Sequence, residues 1–86
     1  MHTVDLLEQA LHAAAQLGYA VRQEWLGGSG GGGCEIKGQK WIFLDLALSL
    51  PDQLEQVAEV LRREPGAGRV PLTPALRKLV YPRKAA

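Results

Sequence analysis

The stretch over residues 40–48 constrains this chain more than any other. Trp41 and Phe43 fall on one face of an extended segment, and Ile42, Leu44, Leu46 and Leu48 fall on the other. A strand that is apolar on both faces belongs at the centre of a sheet or under cover on both sides. Only Asp45 interrupts the run. Residues 34–37 and 40–48 read as a hairpin around Gly38-Gln39, a Gly-X pair suited to a type II′ turn. That register sets Cys34 opposite Phe43 and Ile36 opposite Trp41. Residues 19–26 alternate too, with Tyr19, Val21, Gln23 and Trp25 on one face, and supply a third strand.

Helical periodicity flanks these strands. Thr3 is a suitable N-cap and Gly18 a suitable stop. Between them Val4, Leu6, Leu7, Ala10, Leu11, Ala13, Ala14, Ala15 and Leu17 share one broad arc. Ser49-Leu50-Pro51-Asp52 starts a second helix that runs to about Arg63, with Leu54, Val57, Ala58 and Leu61 on its buried stripe. Residues 64–72, rich in Pro and Gly, read as a linker. Thr73-Pro74 opens a short third helix that Pro82 ends. The expected fold is α+β, in the order α-β-β-β-α-α. Its sheet is expected to be an antiparallel meander, forming one domain over residues 1–81 with a frayed tail at 82–86. A chain of 86 residues has room for one core. Helices on one sheet face leave Trp25, Ile36, Trp41 and Phe43 as candidate interface residues, because a large open apolar patch marks a contact surface.

Three features carry possible chemistry. The first is the run Gly27-Gly28-Ser29-Gly30-Gly31-Gly32-Gly33. It satisfies G-x-G-x-x-G, but the dinucleotide motif needs a helix after the last glycine, and a strand follows here. Consecutive glycine N–H groups still suit an anion-binding nest, so Gly28, Ser29, Gly30, Gly31, Gly32 and Gly33 are candidate ligand-binding residues. The alternative is a plain connection between strands. The second feature is Cys34, the only cysteine. Nucleophilic catalysis would need a base nearby, and no spacing rule brings His2 or His12 to it; packing as a small hydrophobe is the simpler role. The third is Asp45, a carboxylate in an apolar strand, which suits either a general base or a structural pair. No metal-ligand spacing and no cofactor motif is present, so neither a metal nor a cofactor is expected.

Charge is uneven. Residues 1–61 hold three basic and eight acidic side chains, and residues 62–86 hold seven basic and one acidic. The basic end folds back on the acidic body, is a solvated tail, or offers weak non-specific nucleic-acid binding; with Tyr81 its one interleaved aromatic, it is not expected to make nucleic acid a partner. No apolar run approaches a membrane span, no leader is expected, and a lone thiol suits the cytoplasm.

The stretch from Gly18 to Cys34, with Phe43-Leu44-Asp45-Leu46 after it, resembles a family of small uncharacterised bacterial proteins with the pattern W-L-G-G-x-G-G-G-x-C. The resemblance covers residues 18 to about 61. It implies that the glycine loop, Cys34 and Asp45 belong together, and it brings no activity. The expected function is a non-catalytic interaction module, a homodimer through the sheet face or edge. The rival is a protein that binds an anionic or small polar ligand, or a small enzyme, using the glycine loop with Cys34 and Asp45.

Overall fold

The computed structural model describes residues 2–28 and 30–82; Ser29 and residues 83–86 of the expected tail lie outside them. Helix α1 (Thr3–Gln16) forms on the apolar arc and buries Leu7, Ala10, Ala13 and Ala14. His2, not Thr3, takes the N-cap position, and its side chain makes no cap bond. Gly18, at φ +92°, turns the chain out of the helix as a left-handed glycine should. Strands β1 (Tyr19–Glu24), β2 (Gly32–Ile36) and β3 (Gln39–Asp45) follow, then α2 (Leu50–Arg63), a 3₁₀ turn over Pro65–Arg69, and α3 (Pro74–Val80).

The α+β class and element order are as expected, but the sheet is mixed and not an antiparallel meander. Its strand order is β1-β3-β2, with β1 parallel and β2 antiparallel to β3. The cause lies in β3. A strand apolar on both faces gains most from two neighbours, so it takes the middle. The loop over residues 25–31 lets β1 reach its far side. It carries the chain from one edge of the sheet, across the C-terminal end of β3, to the other edge, about 10 Å away.

The hairpin also differs from expectation. Its turn residues are Lys37 and Gly38, both at positive φ (52° and 80°). That is the signature of a type I′ turn, whose twist matches the strands. Ile36 therefore faces Gln39 and Cys34 faces Trp41, a shift of two positions that preserves every side chain's face. Strand β3 ends at Asp45, short of the expected Leu48, because the Asp45 side chain turns the chain back to Ala47.

Helices α1 and α2 cover one face of the sheet. Ile42 and Leu44 point into them and are 0% and 1% exposed. Ala10, Ala13 and Ala14 sit in the same core as Val57, Ala58 and Leu61 of α2. Two expected caps are in place. Ser49 Oγ accepts from the Asp52 N–H, and Thr73 Oγ1 accepts from the Leu76 N–H, both at 3.3 Å. Helix α3 is tied down by Arg62, which donates to the carbonyls of Val80 (2.7 Å) and Leu79 (3.1 Å), the C-terminal end where a cation is favoured. Residues 64–72 are more ordered than a linker: the 3₁₀ turn buries Ala67. Among the described residues no helix is long and apolar enough to cross a membrane.

Candidate functional site

The glycine loop meets the end of β3 at Asp45, whose side chain is fully buried. A bare carboxylate there would be costly, and backbone donors satisfy it. Asp45 Oδ1 accepts from the N–H groups of Leu26 (3.0 Å) and Ala47 (2.9 Å), and Oδ2 accepts from Gly28 (2.7 Å). Burial alone would push its pKa up. The three N–H donors outweigh that and hold it below the ordinary carboxylate range. The loop thus wraps an anion, and that anion belongs to the chain itself.

Gln56 on α2 adds a second clasp. Its side-chain carbonyl accepts the Asp45 N–H at 3.2 Å, and its amide donates to the Gly30 carbonyl at 3.1 Å. Gly31 passes so close that a Cβ there would meet the Gln56 amide and lie 2.8 Å from the Phe43 carbonyl oxygen; its φ of +99° also excludes ordinary side chains. Gly33 lies under Val60, which a Cβ would approach to 3.1 Å. Of the candidate ligand residues, Gly28 thus serves Asp45, Gly30 and Gly31 meet Gln56, and Gly32 and Gly33 belong to β2. Ser29 lies outside the described residues.

A groove of about 700 Å³ runs between β2 and α2, walled by residues 32–35 on one side and Gln56, Glu59, Val60 and Arg63 on the other. Its inner end is closed by a cluster that sequence reasoning missed. Tyr19 Oη donates to Glu64 Oε1 at 2.8 Å, and Lys40 Nζ reaches the same oxygen at 3.0 Å while lying 5.4 Å from the Tyr19 ring centre. The Gly66 N–H bonds the other carboxylate oxygen at 3.2 Å. These donors, Tyr19 first, hold the Glu64 pKa below its usual range. Burial, the bond to Glu64 and the charges of Glu64 and Glu35 push Tyr19 up to about 12. The cluster ties the end of α2 to the sheet. Tyr19, Lys40 and Glu64 lie 45 positions apart at the extremes, so no local pattern could have joined them.

Cys34 is exposed, on the sheet face away from the helices: its neighbour Gly33 faces Val60, and its cross-strand partner is Trp41. His12 lines a different hollow, with Glu8, Gln9 and Pro71. Among the described residues no group of three His, Cys, Asp or Glu side chains could hold a metal ion.

The face that carries Cys34 is the open one. Trp41 and Phe43 are half-buried there and stack at 5.9 Å with planes 17° apart. Ile36 is 48% exposed, and Trp25, in the loop after β1, is 77% exposed. Along β1 the same face turns polar, with Arg22 paired to Glu24. The face therefore grades from charged at β1 to apolar at β2. On the basic side of the chain, Arg62 and Arg63 pair with Glu59, and Arg62 also reaches Glu55.

No protein-family model, curated protein or solved structure matches this chain, so its site is read from its own geometry.

Proposed function

We propose that this chain is a small non-catalytic interaction module that self-associates through the apolar side of its sheet, in the cytoplasm, where its single thiol stays reduced. The observation that carries this reading is the face holding Trp41, Phe43, Cys34 and Ile36, which no element among the described residues covers, opposite the face that the helices cover. Apolar surface of that kind gains from a partner. Two of the three features that suggested chemistry, Asp45 and the glycine loop, have structural work. Asp45 is buried and holds three backbone N–H groups, which makes it a poor general base. The loop N–H groups of Leu26 and Gly28 that would grip an anionic ligand already grip Asp45. Arg62 and Arg63 are engaged by Glu59, which leaves less of the basic end for nucleic acid.

Sedimentation equilibrium across the micromolar range tests this reading. The expected result is a reversible monomer–dimer equilibrium. A monomer at every concentration, with Trp41 well shielded from acrylamide, would remove the reading's basis.

A further inference from the structure

The backbone of β2 fixes which of its polar groups face outward. Ile36 and Gln39 flank a two-residue turn, so they form a hydrogen-bonded pair, and bonded and non-bonded pairs alternate from there. Cys34 then bonds inward to Trp41. The N–H and C=O groups of Gly33 and Glu35 point away from β3, along the free edge of the sheet. Natural edges are usually guarded by proline, charged side chains (lysine above all), a bulge or a covering element, and on β2 the one such guard is Glu35. Residues 32–36 contain neither proline nor lysine, and Gly33, Cys34, Glu35 and Ile36 are all exposed. At the opposite edge, β1 carries the Arg22–Glu24 ion pair.

We propose that this edge pairs with β2 of a second copy, antiparallel about a two-fold axis at Cys34, joining two sheets into one of six strands. The proposal rests on the self-association reading and deepens it by naming the contact.

Stereochemistry selects the register. With the axis at Cys34, Gly33 of each copy faces Glu35 of the other. Those are the residues with outward N–H and C=O groups, so they exchange four hydrogen bonds. Gly32 faces Ile36, and all five positions of the strand are used. An axis at Glu35 would oppose two like charges. An axis at Gly33 would carry Ile36 past the start of the partner strand.

The flanks agree in charge and polarity. Helix α2 runs beside β2 in the same direction: Gln56 is next to Gly31, Val60 lies over Gly33, and Glu64 binds Lys40, the partner of Glu35. A two-fold axis at the level of Cys34 therefore sets the two α2 helices antiparallel, with the Glu59–Arg63 ion pair of each copy near the axis, where the pairs can exchange partners. On the open face, the apolar halves of the two sheets meet at the axis, and the Arg22–Glu24 pairs lie at the outer rims. Five-residue strands alone bury less than the roughly 1,200 Å² of a standard interface. The outer wall of the β2–α2 groove must join the contact, and the dimer should be a micromolar one.

Cys34 reports on the register directly. In this arrangement the two Cys34 residues form a non-bonded pair with Cα atoms about 4.5 Å apart, within reach of a disulfide. Oxidation with diamide, which takes up the two electrons and two protons, should link the native protein at micromolar concentration faster than the same protein in denaturing urea. Cys34→Lys puts like charges in direct opposition at an exposed position. It should weaken dimerisation about tenfold or more in sedimentation equilibrium, with the melting curve of the dilute protein unchanged. Cys34→Ser should dimerise as the wild type does. A wild-type dimer that fails to form the disulfide and is unaffected by Cys34→Lys would overturn the edge contact and leave self-association standing. A wild-type monomer throughout would overturn both.

Discussion

Strand β3 serves two environments one residue apart. Ile42 and Leu44 face the helices and are essentially inaccessible, whereas Trp41 and Phe43 face away and stay half-exposed. The side chains on both faces are large and apolar, but among the described residues only one face is supplied with a cover. The difference teaches that apolar patterning specifies what a strand needs, not who provides it. On the helix side the chain provides it. On the open side no element among the described residues does, and the proposed second copy would extend that face at the β2 edge.

Unequal sensitivity to substitution would sharpen the contrast. The largest effect is expected for Leu44→Ala, which should cost about 2–5 kcal/mol in urea unfolding of dilute protein, as buried leucines do. Phe43→Ala should cost less than about half of that in the monomer, because the side chain is only partly buried. Equal losses at the two sites would break the comparison. Next comes the loop. Gly31→Ala combines a clash with the Phe43 carbonyl and an unfavourable φ, and should lose about 1–3 kcal/mol; Gly30→Ala has neither and should stay within about 0.5 kcal/mol of wild type. A Gly31→Ala melt as good as wild type would show the loop to be a spacer.

Acid dependence comes third. The pKa values of Asp45 and Glu64 are lower in the folded chain than in the unfolded one. Their stabilisation is therefore complete above the unfolded value of about 4 and is lost as pH falls through the lower folded values. Asp45→Asn and Glu64→Gln should each flatten the acid limb of a stability–pH curve, with no change of slope above pH about 6. A limb as steep in both variants would assign acid unfolding elsewhere. The smallest effect is spectroscopic. Tyr19, with its pKa raised to about 12, should ionise late in an absorbance titration. Its neutral form contributes stability below the unfolded value of about 10, which fades as pH climbs through 12. Tyr19→Phe should remove the late component; an unchanged titration would contradict the Tyr19–Glu64 bond.

Much of the fold was legible because local rules determined it. The caps at Ser49 and Thr73, the Gly18 stop and the two-faced strand each follow from short stretches of sequence. The strand order was not, because it depends on the C-terminal end of β3 holding a loop from the other side. The sign was present in pieces: a lone aspartate ending an apolar run, and a glycine tract longer than any hairpin needs. A buried carboxylate must find donors, and glycines let a backbone come close enough to supply them. Joining Asp45 to Leu26 and Gly28 required only that argument. The Tyr19–Lys40–Glu64 cluster had no such sign, since Glu64 read as the start of a linker. The turn at Lys37-Gly38 was misplaced by one residue because Lys at positive φ is uncommon.

Amide hydrogen exchange along β2, followed as protein concentration rises, tests the central claim most directly. The Cys34 N–H bonds inward to β3 and should be protected at all concentrations. The N–H groups of Gly33 and Glu35 point to the free edge, and should exchange freely in dilute protein and gain protection as dimer forms. Gly33 and Glu35 amides that stay unprotected while sedimentation shows a dimer would contradict the account.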